Sequence, residues 1–505
     1  MSQLLRTKSI DDLIEASLEP AKSLRRTLGP YSLTALGIGA VIGSGIFTVT
    51  GTAAAGKVLP IRSALDATLL DLMLHGVHAG SQMGRPGAGP ALTLSFILVG
   101  LACCFAALCY AELASMIPIA GSAYTYAYAT LGEIFAWIIG WDLILEYAVS
   151  NMSVAVGFSA YLQDLFENVL GFHLPAQIAF APIPAPGQPA GWFNLPALII
   201  TIAVTWILTR GVKESAETNA AMVIVKLIAI LAFCLGAARA INPAHWRPFA
   251  PNGFPGILTG ASIIFFSYIG FDSVSTAAEE CRHPQRDLPI GIIATLVICT
   301  VLYASVSLVL TGIVPWRGLG TDSPVADALK ALGFNRLRLI VTAGALMGML
   351  SSLLVYQYGQ ARIWFAMSRD GLLPRMFSAV HRRFKTPHVS TWIAGFAVGI
   401  PAGIWDIDTF AELSNIGTLF AFIIVSAGVI VLRRRQPHRR RAFRVPCAPL
   451  FPAISIVCCL VLMMGLPLLT WLRFLSWLGI GLTIYFLYSK TRSLLAQEMS
   501  SRPAP

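Results

Sequence analysis

Two glycine-rich stretches carry the groups best suited to hold a small zwitterion. The first reads ALGIGAVIGSGIFTVTG and puts Gly37, Gly39, Gly43, Gly45 and Gly51 in one apolar run. Glycines in that density either let neighbouring helices pack closely or mark a break at Gly43-Ser44-Gly45. A break leaves N–H groups free at the positive end of one half-helix and C=O groups free at the other. The first suit a carboxylate and the second an ammonium. The second stretch, GILTGASIIFFSYIGFDSVSTAAEE, carries Gly256, Gly260 and Gly270 and then Asp272 within its apolar run. An Asp at mid-span costs about 2.5–3.5 kcal/mol on insertion scales. Asp272 therefore needs a partner, a water-filled cavity, or a place close enough to the cytoplasmic edge to be hydrated. Glu279 and Glu280 fall at that edge and are expected to be solvated.

Three more charges lie inside apolar runs. Lys226 sits in NAAMVIVKLIAILAF, about seven residues from the inner end, or ~10 Å deep at 1.5 Å per residue. It either snorkels to the cytoplasmic headgroups or is held near the broken first helix as a titrating proton carrier. Asp142 and Glu146, in GWDLILEYAVSN, are four apart and share a helix face. That face must turn inward, toward either a pocket or structural partners on a neighbouring helix. Glu112, in CYAELASMIP, is near a cytoplasmic end and is expected to organise a short loop. Ser351 and Ser352, like Asn415 and Thr418, either bond across helices or return to their own helix carbonyls. Tyr124, Tyr126, Tyr128, Trp137 and Trp141 read as belt or packing residues.

The elements that must position these groups follow from composition. Of 505 residues, 56% are hydrophobic and only 12% charged, about half the charged fraction of a soluble domain. Lipid is the solvent for most of the chain, and only helices or closed barrels satisfy the backbone there. The apolar runs are long and continuous, without the alternation of barrel strands, so the fold expected is all-α. Twelve spans are expected, near 31–56, 91–116, 123–163, 193–210, 218–238, 257–279, 288–314, 336–361, 388–404, 408–432, 450–468 and 470–489. The third is too long for one crossing and must tilt or continue as a second short helix. The two glycine-rich spans are the first and the sixth. That spacing of five is what two inverted five-helix repeats produce when each begins in an interrupted helix.

With the N-terminus inside, 25 Lys and Arg fall in cytoplasmic segments and 10 in outer ones, which places both termini in the cytoplasm. The same bias accounts for the net charge of +11 without nucleic acid. The basic run from Arg433 to Arg444 is read as a topology anchor facing anionic lipid. Segments 1–30, 433–449 and 490–505 are then cytoplasmic, 31–432 is the transport core, and 450–489 holds the last two helices. Residues 57–90 contain a Leu-rich stretch, Leu65 to Leu74, suited to a short surface helix. Residues 164–192 read as an irregular outer loop, and 362–387 as a basic cytoplasmic connection. The first 30 residues lack a signal-peptide core, so the first span is expected to direct insertion. The nine cysteines show no CxxC spacing, and no metal or cofactor site is indicated. Catalytic signatures are missing as well, GxSxG, HExxH and the phosphate-loop motif among them. The protein is therefore not expected to be an enzyme or directly ATP-driven.

Longer motifs sharpen this. GIGAVIGSGIF, CYAELASMIPIAGSAYTYAYATLGEIFAWIIGWDLILEYAV, FFSYIGFDSVSTAAEE followed by PQRDLP, and GQARIWFAMSRDGLLP resemble the amino acid–polyamine–organocation superfamily. The match looks best to its cationic amino acid transporter branch in bacterial form, over about residues 25–490. The resemblance implies a leucine-transporter-type 5+5 inverted repeat with two added helices, and alternating access around breaks in helices 1 and 6. It implies a substrate carboxylate on the amides of Gly43, Ser44 and Gly45, and an α-ammonium near the carbonyls of Val41, Ile42, Phe266 and Ile269. Lys226 matches the lysine that stands, in proton-coupled members, where sodium binds in sodium-coupled relatives, with Ser351 or Ser352 beside it. Asp142, Glu146 and Asp272 are the candidate pocket or gating charges. One departure is the segment 57–90, carrying Arg62, His75, His78 and Arg85, where relatives have a short link. It caps the outer vestibule, meets a partner, or is inert.

The function expected is proton-coupled import of amino acids across the cell membrane, with protons and the bilayer as the other partners. The alternatives are an exchanger without net proton coupling and an amino acid sensor that does not transport. The second would need a signalling domain, for which the ends of the sequence leave little room.

Overall fold

Runs of Leu, Ile, Val and Ala leave no backbone group unpaired only when coiled, so the chain is helical almost throughout. The computed structural model describes residues 5–11, 28–57, 65, 67–75, 85–119, 121–183, 189–210, 216–381, 384 and 386–501. Twelve apolar helices follow one another among these residues. They are α1 (Pro30–Val41 and Gly45–Ala55), α2 (Leu92–Met116), α3 (Glu133–Leu170), α4 (Leu195–Thr209), α5 (Ala216–Ala237) and α6 (Gly253–Ile264, continued as Phe265–Tyr268 and Phe271–Glu280). After them come α7 (Pro284–Ile313), α8 (Asn335–Arg369), α9 (His388–Ala402), α10 (Ile407–Arg435), α11 (Leu450–Met464) and α12 (Leu468–Ile484). Eight are long and apolar enough to cross a bilayer, and the two halves of α1, bent by 43°, make a ninth. At 15 residues each, α4, α9 and α11 are shorter than the ~20 of a full crossing.

The over-long third segment resolves into two pieces. A short helix, Ser122–Thr130, ends at Gly132, whose φ of +117° only glycine adopts without strain. The main helix then runs 38 residues from Glu133. It continues to Leu170, so the first part of the expected outer loop at 164–192 is helical. Likewise α8 runs on to Arg369, into the expected connection at 362–387.

The packing fits the expected repeat. Helices five apart lie directly against each other, α2 on α7, α3 on α8 and α4 on α9. The first half of α1 packs on α7 and α5, and α10 packs on α3 and α11. At the end of α2 Glu112, 1% exposed, draws in the basic segment that follows α10. Its Oε1 accepts from Arg433 Nε at 3.0 Å and Arg441 Nε at 3.2 Å, and its Oε2 from Val445 N at 2.7 Å. This is the loop-organising role expected of it, carried out on residues more than 300 positions away.

Candidate substrate site at two helix breaks

Both glycine-rich spans are interrupted. In α1 the helix stops at Val41 and restarts at Gly45, through Ile42 with φ −82° and ψ 86°. The Gly43 N–H turns back onto Val41 O at 3.0 Å. In α6 the α-helix gives way at Phe265 to a tighter turn, Ile269 is extended, and Gly270 has φ +113°. The two breaks touch. A Cβ on Gly45 would lie 2.5 Å from Ser267 Cα, and one on Gly270 would lie 3.1 Å from Ala40 Cβ. A Cβ on Gly37 would lie 2.2 Å from Thr295 Oγ1 of α7. Close packing and a broken helix, the two readings of the glycines, are thus both present, at different glycines.

Gly43, Ser44, Gly45, Val41, Ile42, Phe266 and Ile269 are all buried. Their carbonyls are engaged by the protein itself. Val41 O accepts from Tyr303 Oη at 3.0 Å as well as from Gly43 N. Ile269 O accepts from Tyr356 Oη at 2.8 Å, and Phe266 O from Ile269 N at 3.3 Å. The hydroxyls of Ser44 and Ser267 are buried with no hydrogen-bond partner. Two polar side chains left open at a contact between backbone breaks are what a polar ligand would complete.

Lys226 does not snorkel. It is 0% exposed, and its Nζ donates to Gly39 O at 2.8 Å and Ile42 O at 2.9 Å. These carbonyls end the first half of α1, where the helix dipole is negative and backbone acceptors lack partners. Of the two serines in α8, Ser352 makes this contact, with its Oγ 3.2 Å from Gly39 O, 3.3 Å from Ala40 O and 3.5 Å from Ile42 O. Ser351 is buried beside it. A Cβ on Gly43 would lie 2.7 Å from Ser352 Oγ, so the bare glycine is what lets the serine reach in.

The carboxylates sit to one side. Asp142 and Glu146 are buried on α3, and both oxygens of Asp142 and Oε2 of Glu146 lack a hydrogen-bond partner. The backbone or hydroxyl pairing considered for them is therefore absent at those three atoms. Asp142 lies against Gly417 of α10, where a Cβ would come within 2.8 Å of Oδ1. Asp272, at the start of the last part of α6, is 2% exposed rather than hydrated. It accepts from Ser122 Oγ at 3.4 Å. Glu280, expected to be solvated, is half-buried and lies 3.4 Å from Arg362 of α8. Asn415 bonds across to Ser262 O at 2.8 Å, while Thr418 returns to its own helix at Ser414 O.

Sequence reasoning missed the tyrosines. Tyr303 and Tyr356 hold the break carbonyls, and Tyr161 donates to Phe47 O at 2.6 Å in the second half of α1. A phenol in mid-span is a signal in itself, because its hydroxyl must find an acceptor in lipid. Also missed was a buried ion pair joining the outer ends of α3 and α8. Arg338 Nε donates to Asp164 Oδ1 at 2.8 Å, and Thr342 donates to Oδ2 at 2.7 Å.

A multi-pass helical protein whose first and sixth spans break against each other around unpaired polar groups is a transporter-type membrane protein. The Amino acid permease family model matches residues 28–484, and the chain belongs to that family. It is similar to the branched-chain amino acid permease BcaP of Bacillus subtilis, with 46% identity over 98% of this chain and 99% of the relative. A methylthioribose transporter of the same organism is also 46% identical, over 98% of this chain and all of the relative. A chloroplastic cationic amino acid transporter of Arabidopsis thaliana is 38% identical over 83% of this chain and 68% of the relative. Relatives named for cationic substrates are thus joined by relatives named for branched-chain ones.

Proposed function

We propose that the protein imports amino acids across the cell membrane by proton-coupled alternating access, binding the substrate zwitterion where α1 and α6 break. The observation that carries this is the set of donors from Lys226 and Ser352 on the freed carbonyls of α1, next to the Gly45–Ser267 contact. A carboxylate binds the Ser44 and Gly45 amides and draws the Gly43 amide off Val41 O. That release frees a lone pair on Val41 O for the α-ammonium. The carbonyl of Phe266 accepts from Ile269 N and that of Ile269 from Tyr356 Oη, and each has a second lone pair for the same ion. Substrate binding and backbone rearrangement in α1 are then one event.

Protonated Lys226 holds the end of the first half of α1 by charge-assisted hydrogen bonds, and loss of its proton weakens that hold. The proton thereby sets how freely α1 moves, which is the coupling a symporter needs. Asp142, Glu146 and Asp272 line the same region and are assigned to the pocket or its gate. The excess of Lys and Arg in alternate loops supports cytoplasmic termini.

Uptake into proteoliposomes tests this, with a labelled panel of branched-chain, neutral and cationic amino acids and methylthioribose, with and without an inward proton gradient. Gradient-stimulated uptake of an amino acid is expected. Uptake that ignores the gradient and requires amino acid inside would make the protein an exchanger, and uptake of methylthioribose alone would overturn the substrate class.

A further inference from the structure

The segment that departs from the resemblance, 57–90, is built into the outer end of the molecule. Gly56 and Lys57 pair with Pro86 and Arg85 in a short antiparallel ladder. The next residues are stitched to the second half of α1 and the start of α6. Ala88 N donates to Ala53 O of α1 at 3.0 Å, and Asn252 Nδ2, at the foot of α6, donates to Gly87 O at 2.7 Å. The other described part, a turn and the helix Leu69–His75, is clipped to the connection between α11 and α12. Leu69 N donates to Leu466 O, and Leu468 N and Leu469 N donate to Ala67 O and Leu65 O. The expected Leu-rich helix thus begins four residues late, with Leu65 and Ala67 serving as backbone partners of the α11–α12 connection. Arg62 and His78 lie outside the described residues, as does the side chain of His75.

Arg85 crosses from this segment to α10. Its guanidinium lies 2.6 Å from Glu412 Oε1, with the two side chains only 13% and 16% exposed, and Thr470 donates to Glu412 Oε2 at 3.1 Å. A cleft lies here between α1, α6 and α10, lined by Val49, Thr52, Arg85, Asp408, Glu412 and Asn415. Its floor approaches the α6 break, since Asn415 bonds the carbonyls of Ser262 and Ile263 just before Phe265. Arg85 therefore belongs, through its backbone, to the α1 and α6 side of the cleft and, through its side chain, to the α10 side.

We propose that the Arg85–Glu412 ion pair is a latch that must open each time the cleft opens to the outside. The inference rests on the alternating-access reading for its purpose but not for its test. Opening separates α1 and α6 from α10, and the latch is an ion pair spanning that line. Asp408 lies one turn from Glu412 on the same face of α10, so removing the Arg85 cation leaves two neighbouring carboxylates on the α10 side of the cleft.

The test needs no substrate. Val49 is 1% exposed, so a Val49→Cys variant in lipid nanodiscs reacts with a maleimide only when the cleft opens. Modification at position 49 is followed by peptide mass spectrometry, which separates it from native cysteines. Adding Glu412→Gln or Arg85→Gln is expected to raise the rate about fivefold, the scale of a partly buried ion pair. The charge-reversed pair Arg85→Glu with Glu412→Arg is expected to restore slow labelling, which a merely unfolded outer end would not do. Equal rates in all backgrounds, or fast labelling in the reversed pair, would overturn the latch. Either result leaves the uptake experiment to decide the transport reading separately.

Discussion

The breaks in α1 and α6 solve one problem with different chemistry. In α1 the orphaned carbonyls of Gly39 and Ile42 meet an ammonium, Lys226, with a serine beside it. In α6 the carbonyl of Ile269 meets a phenol, Tyr356. The hydrogen bonds are of similar length, but one donor is an ammonium and the other a neutral phenol. Hydrogen bonds to charged groups also contribute more, about 1.5–3 kcal/mol against about 1 kcal/mol for neutral ones. Under the proposed mechanism, this contrast assigns proton coupling to α1 and leaves α6 as the neutral half of the same site.

Substitutions that pull the two breaks apart test this most severely. Gly45→Leu is expected to lower uptake at least about a hundredfold with unchanged membrane abundance, because the new side chain meets Ser267 backbone, which cannot swing away. Gly43→Leu should act through Ser352 instead, and full uptake in either variant would remove the broken-helix site. Next in size is Lys226→Met, expected to cut gradient-driven uptake about tenfold while substrate counterflow persists. Loss of both would mean that the lysine only holds the fold.

Tyr356→Phe removes the neutral counterpart. A roughly fivefold weaker half-saturation is expected, from one neutral hydrogen bond, with gradient stimulation intact. If stimulation vanished, the division of labour between the breaks would be wrong. The smallest effect, about twofold to threefold, is expected for Ser352→Ala, which leaves Lys226 on the same carbonyls. Combined with Lys226→Met it should be less than additive, since both donors serve Gly39 and Ile42. Ser351→Ala makes the control, measured by the same uptake assay.

Much of this was visible in one dimension where a residue was costly in its setting. Glycine clustered in an apolar run, and a lysine and three carboxylates within apolar spans, each demanded a reason; the glycines and Lys226 lie at the α1 break, Asp272 just after the α6 break, and Asp142 against Gly417 of α10. What escaped were residues whose role depends on partners far along the chain. Tyr303 and Tyr356 read as ordinary apolar-span aromatics until placed against Val41 and Ile269, more than 80 residues away in each case. The choice between Ser351 and Ser352 was likewise illegible, because neighbouring positions on a helix differ by rotation alone. The 38-residue α3 and its preceding short helix could not be separated by hydropathy, since Gly132 acts through its φ rather than its polarity.

By itself the sequence determined the solvent, the helical class and the two glycine-rich spans at which a helix can either pack closely or fail, because transfer of polar groups into lipid and the conformational freedom of glycine are local properties. Tertiary structure alone decided that the two failures meet, that Lys226 turns inward onto Gly39 and Ile42 rather than outward to headgroups, and that Arg85 reaches Glu412. Those are matters of which surfaces pack together, and packing is set by the shapes of helices hundreds of residues apart rather than by any one segment.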